Sequence, residues 1–206
     1  MANRGQSSRK QQILETLAQM LEQSPGARIT TAQLAAALEV SEAALYRQFP
    51  SKARMFEGLL DFIEEVIFSR VRVILDEETD AVARCGKITH LLLTFAARNP
   101  GMSRLLLGDA LIGEDERLGA RVNQIFERLD MQLRQVLREG VLNAQKPLSV
   151  DVNGTAGLLL AVVEGRLRQF VRSNFKQSPT AQWDSQWNLL AQGISSNVSA
   201  RQSALA

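Results

Sequence analysis

The sequence predicts an all-α protein of about nine helices, with a small three-helix head followed by a longer helical body. Three observations predict it. Apolar residues recur at i, i+3 and i+4 through most of the 206 residues. No alternating pattern of strand length occurs. Strong helix formers (Leu, Ala, Gln, Glu, Arg) are plentiful, whereas aromatic residues make up only 5%.

Ile13, Leu14, Leu17, Ala18 and Leu21 give the apolar stripe of a first helix, about 8 to 23, which Ser24-Pro25-Gly26 ends. Thr30 or Thr31 can cap a second helix bearing Leu34, Ala35 and Leu38. Glu39-Val40 makes a tight turn. Ser41 then caps a short third helix whose inward residues are Leu45 and Phe49. Ser51 caps a long fourth helix through Met55, Phe56, Leu59, Phe62, Ile63, Val66, Ile67 and Ile74, and the acids from Asp76 to Asp80 break it. The fifth helix, about 81 to 98, carries Ile88, Leu91, Leu92 and Phe95 and stops at Asn99-Pro100-Gly101. A short sixth lies near Met102 to Asp109.

From Glu114 to Glu139, Leu118, Val122, Ile125, Leu129, Leu133 and Val136 mark a long amphipathic helix. Val152, Ala156, Leu159, Val163, Leu167 and Phe170 repeat that spacing in an eighth helix, about Asp151 to Asn174. A ninth holds Trp183, Trp187 and Leu190. The expected domains are 7–67 for the head, with its motif at about 30–49, and 68–195 for the body. A disordered tail is expected at 196–206.

Composition narrows the function classes. Apolar content of 45% suits a globular core, and the single cysteine, Cys85, excludes an internal disulfide framework. No signal peptide or bilayer-length apolar run is visible, which fits a cytoplasmic protein. One histidine, His90, with one cysteine leaves no metal set and no triad, and no phosphate-binding glycine loop occurs. The chain reads as a non-enzyme without cofactor. Residues 1–54 hold seven basic and four acidic groups, a net +3 against +2 for the whole chain, a weak pointer to a polyanion.

Helix, tight turn, short capped helix is the helix-turn-helix arrangement. Leu45 and Phe49 hold the short helix inward. Ser41, Glu42, Ala43, Ala44, Arg47 and Gln48 are left outward, polar or small, as a major groove requires. Thr30, Thr31, Tyr46 and Lys52 are expected on phosphates, with Gln33 beside them. Patterning alone leaves a plain core module equally open.

The stretch "ITTAQLAAALEVSEAALYRQFPSKARMFEGLL" (29 to 60) resembles the N-terminal domain of TetR-family regulators. The marks are Thr30-Thr31, Leu34-Ala35-Ala36, Val40-Ser41, Leu45-Tyr46, Phe49 and Ser51-Lys52. The resemblance implies a TetR-like homodimer whose heads read the half-sites of palindromic, operator-like double-stranded DNA. Further along, "RNPGMSRLLLGDAL", "RVNQIFERLDMQLRQVLREG" and "RQFVRSNFKQSPTAQWDSQW" are similar to the nucleoid occlusion branch of that family. That branch implies binding of the C-terminal tail of the division protein FtsZ, with one or two dimers on each DNA site. The positions matching its tail groove are Phe62, Arg70, Leu91, Thr94, Arg98 and Asn99. Thr94 stands where the branch has glycine, which narrows the groove.

Gly154, Gly157 and Gly165 in the eighth helix suggest close approach of a partner helix. The expected dimer seam is Leu160, Val163, Leu167 and Val171, with Trp183 and Trp187 packing on it. Two function classes remain. One is a DNA-bound division inhibitor. The other is a ligand-responsive repressor whose body encloses an effector. The continuous apolar stripes of the body favour the first.

Overall fold

The computed structural model describes residues 9–23, 28–143, 148 and 150–195. Among them are nine α-helices: α1 (Arg9–Gln23), α2 (Thr31–Ala37), α3 (Glu42–Gln48), α4 (Lys52–Glu77), α5 (Ala81–Arg98), α6 (Pro100–Leu106), α7 (Glu116–Val141), α8 (Val152–Arg172) and α9 (Trp183–Ser195). A single 3-10 turn, Asp109–Leu111, follows α6. The described residues contain no strand. The expected end of α1 at Ser24-Pro25-Gly26 and the tail at 196–206 lie outside the described residues.

The chain forms two compact units, Met1–Glu65 with Asn99–Asn123, and Val66–Arg98 with Gln124–Ala206. Residues 99–123 pack with the first unit, although they lie beyond the contiguous head of 7–67 expected from the sequence. The cause is a close crossing of α1 and α6. A Cβ on Gly101 would lie 2.2 Å from the Ala18 carbonyl oxygen. Three residues on, Arg104 is 1% exposed and donates to the Leu21 carbonyl at 2.7 Å and to Asp109 at 3.0 Å. These bonds fill one of the carbonyls that the end of α1 leaves without a helical partner.

Most residues of the stripes read from the sequence are buried, Phe62 being the exposed exception. Ile13, Leu17, Leu21, Leu34, Ala35, Leu45, Met55, Phe56, Leu59, Leu60 and Ile63 are buried in the first unit. Arg121 of α7 pairs with Asp61 at 3.1 Å and also with Glu64, both on α4.

In the second unit α5 packs on α8 and α9. A Cβ on Gly86 would lie 2.5 Å from the Trp187 ring, so a glycine makes room for the indole. The hydroxyl of buried Thr89 donates to the Cys85 carbonyl at 2.9 Å, which hides its polarity inside the helix. The acidic break after α4 is a hydrogen-bonded turn. Glu78 accepts from the Thr79 and Asp80 amides and pairs with Lys87 at 2.9 Å, and Asp80 accepts from Ala83 N–H at 2.8 Å. The Lys87 bond, then the backbone donors, bring the Glu78 carboxyl down to about 2. Arg84 closes the same turn by donating to the Leu75 carbonyl at 2.8 Å and pairing with Glu139 at 2.8 Å.

The residues of the expected dimer seam differ in exposure. Leu160, Val163 and Leu167 are buried within the single chain, so they have almost no surface left to give a second copy. Val171 is half-buried. Trp183 is buried beneath the Arg166 guanidinium, and Trp187 sits over Gly86. The exposed side of α8 carries Gly154, Gly157, Leu158, Ala161 and Gly165 instead.

Candidate nucleic-acid interface

The site is built on α2 and α3. A capping box starts α2: the Thr30 hydroxyl accepts from Gln33 N–H, and the Gln33 side chain accepts from Thr30 N–H. Glu39 then takes a left-handed conformation at φ 55°, and the Val40 amide returns to the Ala35 carbonyl at 3.0 Å. That reversal sets the turn between the helices. Ser41 caps α3 by accepting from Ala44 N–H at 3.3 Å.

Leu45 is 1% exposed and Phe49 9%, so the short helix is held by its two inward residues. The Phe49 ring lies under the Lys10 ammonium and against Gly58, where an added Cβ would come within 3.2 Å of it. Ser41, Glu42, Ala43, Tyr46 and Arg47 are exposed, with Ala44 and Gln48 half-buried. The result is a polar, small-residue ridge on a rigid support, which is the surface that base edges in a major groove can meet.

All four of the expected phosphate contacts, Thr30, Thr31, Tyr46 and Lys52, are already engaged within the protein. Thr30 serves the capping box. The Thr31 hydroxyl donates to Glu42 at 2.6 Å and accepts from the Tyr46 hydroxyl at 3.4 Å, which ties α2 to α3. Lys52 is not free either. Its Nζ lies 2.5 Å from Glu114, a residue 62 positions away. Arg28 also reaches Glu114, at 3.4 Å, and donates to the Gly113 carbonyl at 3.3 Å. Sequence reading missed Glu114 and Arg28, since no local spacing links them to Lys52. The one available signal was an unassigned acid in a glycine-flanked loop, Gly113-Glu114.

Of the second residue set, Phe62 and Asn99 belong to the first unit, and Arg70, Leu91, Thr94 and Arg98 to the second. Phe62 is 45% exposed, unusually open for a phenylalanine. Arg70 and Arg98 are exposed, and Arg98 ends α5. Leu91 and Asn99 are half-buried. Thr94 is half-buried, and its hydroxyl oxygen is buried without a hydrogen-bond partner. No group of three or more His, Cys, Asp or Glu among the described residues could hold a metal, and none of the described helices is long and apolar enough to cross a membrane.

Residues 13–59 match the model for bacterial regulatory proteins of the tetR family. Residues 79–195 match the SlmA-like, tetracyclin repressor-like C-terminal domain. The nucleoid occlusion factor SlmA of Shewanella denitrificans is 56% identical over 94% of this chain and 98% of its own. That of Shewanella frigidimarina is 55% identical over the same shares. Among solved structures, FadR from Bacillus subtilis, in complex with stearoyl-CoA, superposes with TM-score 0.75 at 16% identity, covering 89% of this chain and 98% of its own. KstR2, the ketosteroid transcriptional regulator of Mycobacterium tuberculosis, gives 0.73 at 18%, covering 94% and 98%. At such identities these two likenesses establish the fold alone. The matching families are regulators, not enzymes.

Proposed function

The chain belongs to the nucleoid occlusion factor SlmA family of TetR-type DNA-binding proteins, and from that premise we propose that it binds palindromic chromosomal sites as a homodimer and, so bound, captures FtsZ and antagonises its polymerisation over the nucleoid. One observation carries the DNA half of this reading. The α3 ridge from Ser41 to Gln48 is outward, small and polar, while Leu45 and Phe49 anchor it. Bases are read by Ala43, Ala44, Arg47 and Gln48, and the small pair allows contact with thymine methyls. Tyr46 and Lys52 serve the phosphates.

The FtsZ half is supported by the exposure of Phe62, an apolar side chain left open to solvent. Phe62 offers an apolar contact, and Arg70 and Arg98 offer cations to the carboxylates of an acidic, apolar tail. The second copy docks on the exposed side of α8 and α9, where Gly157, Gly165 and Ala161 permit close approach and Leu158 and Leu189 stand open.

The test is binding of a labelled FtsZ C-terminal tail peptide, with and without a palindromic duplex. Saturable binding that Arg98→Ala abolishes is the expected result. No peptide binding in either state, with duplex binding intact, leaves a TetR-type DNA-binding dimer and directs the search to a small effector.

A further inference from the structure

We propose that Glu114 sets the DNA affinity of this protein by holding Lys52 in an ion pair that a DNA phosphate must displace. The proposal rests on the DNA-binding reading above. Lys52 is the first residue of α4, three positions after Phe49 closes the recognition helix, so its place beside α3 is fixed by the chain. Its ammonium is not spread into solvent. It lies 2.5 Å from Glu114 and 5.5 Å from the centre of the Phe56 ring, and the side chain is 18% exposed. The Glu114 carboxylate is 8% exposed and has a second cation, Arg28, at 3.4 Å. Arg28 also holds the Gly113 carbonyl, so the loop carrying Glu114 is pinned at two points.

Lys52 is therefore engaged in the free protein, whereas Arg47 on α3 itself stays exposed. Lys52 and Arg28 share Glu114, and Arg54 pairs with Glu57 at 2.6 Å. Phosphate contacts supply the sequence-independent part of DNA affinity. Holding Lys52 on Glu114 lowers that part of the affinity for every sequence by a similar factor. Base contacts are untouched, so occupancy of random sites falls while the ratio favouring the true site is kept. Lysine suits this role because its ammonium is a compact point charge with three donors, one of which a carboxylate or a phosphate can take.

The experiment is a double-mutant cycle on the full-length protein, with operator and unrelated duplexes, over a range of salt. Glu114→Gln is expected to tighten both duplexes about fivefold at low salt and to steepen the salt slope by about one unit. In a Lys52→Ala background the same change is expected to do nothing. An equal gain in both backgrounds would mean ordinary long-range charge and overturn the proposal. A loss of affinity in folded Glu114→Gln protein would overturn it too, making the pair purely structural. Should Glu114→Gln fail to fold, the 15N signal of the Lys52 ammonium in the wild-type protein decides. It is expected to shift on adding duplex, and an unmoved signal with saturated DNA sinks the exchange. Wild-type protein that binds no duplex at all would instead remove the DNA-binding reading itself.

Discussion

A Cβ at Gly101 would meet backbone on two sides, the Ala18 carbonyl oxygen at 2.2 Å and the Glu22 amide nitrogen at 3.0 Å. Backbone cannot turn aside as a flexible side chain can. Gly101→Ala is therefore expected to destabilise the fold by about 3 kcal/mol, read from the midpoint of denaturant unfolding. Cys85 gives a second expectation. It is fully buried, and burial pushes its thiol from 9.0 up to about 12. A raised folded value means that this contribution to stability is complete below pH 9 and is lost as pH rises toward 12. Unfolding measured against pH is expected to show that alkaline decline in the wild type and less of it in Cys85→Ala. Thiol reagents are expected to modify Cys85 only after denaturation. At this scale the inward residues were legible, because Leu45 and Phe49 fall on the period of the helix. Glu114 was not, because an ion pair across 62 positions leaves no periodic trace. Gly101 was read only as a helix stop, although its second role is contact with α1.

The helices themselves were almost fully legible, since each carries its own stripe and its own stop. Arg98 and Asn99 mark the end of α5 as the Asn99-Pro100-Gly101 signal requires. What periodicity could not give was the destination of a stripe. The α8 stripe through Leu160, Val163 and Leu167 was assigned to a second copy, yet it is consumed inside the chain. A buried apolar face looks the same in sequence whichever neighbour covers it. Two of the α8 glycines, Gly157 and Gly165, have nothing within 4 Å of an added Cβ and so leave an open surface. Leu158, 53% exposed on that surface, supplies the element-scale test. Leu158→Arg is expected to shift the protein toward monomer in sedimentation while leaving its helical content unchanged. It is also expected to weaken binding to a two-half-site duplex by at least about tenfold, since each head then binds alone. A dimer of undiminished strength would move the interface elsewhere.

For the whole molecule, the chain passes from the first unit to the second, returns for Asn99–Asn123, and leaves again. Sequence punctuation favours contiguous domains, and it gave a head ending at 67. The return was not legible, because it depends on Gly101 and Arg104 meeting α1 about 80 positions earlier. A fragment ending at residue 67 lacks Arg104 and α6. It is expected to unfold at lower denaturant and less cooperatively than the full chain, as followed by circular dichroism. The returning segment also has a consequence in time. Ribosomes deliver a chain from its N-terminus at about 5–20 residues per second. The proposed reading surface on α3 emerges early, but α6, which packs on α1, arrives seconds later, once Arg104 has left the exit tunnel. A nascent chain thus lacks α6 when α3 first emerges, and duplex binding by ribosome-held chains is expected only once translation has passed α6.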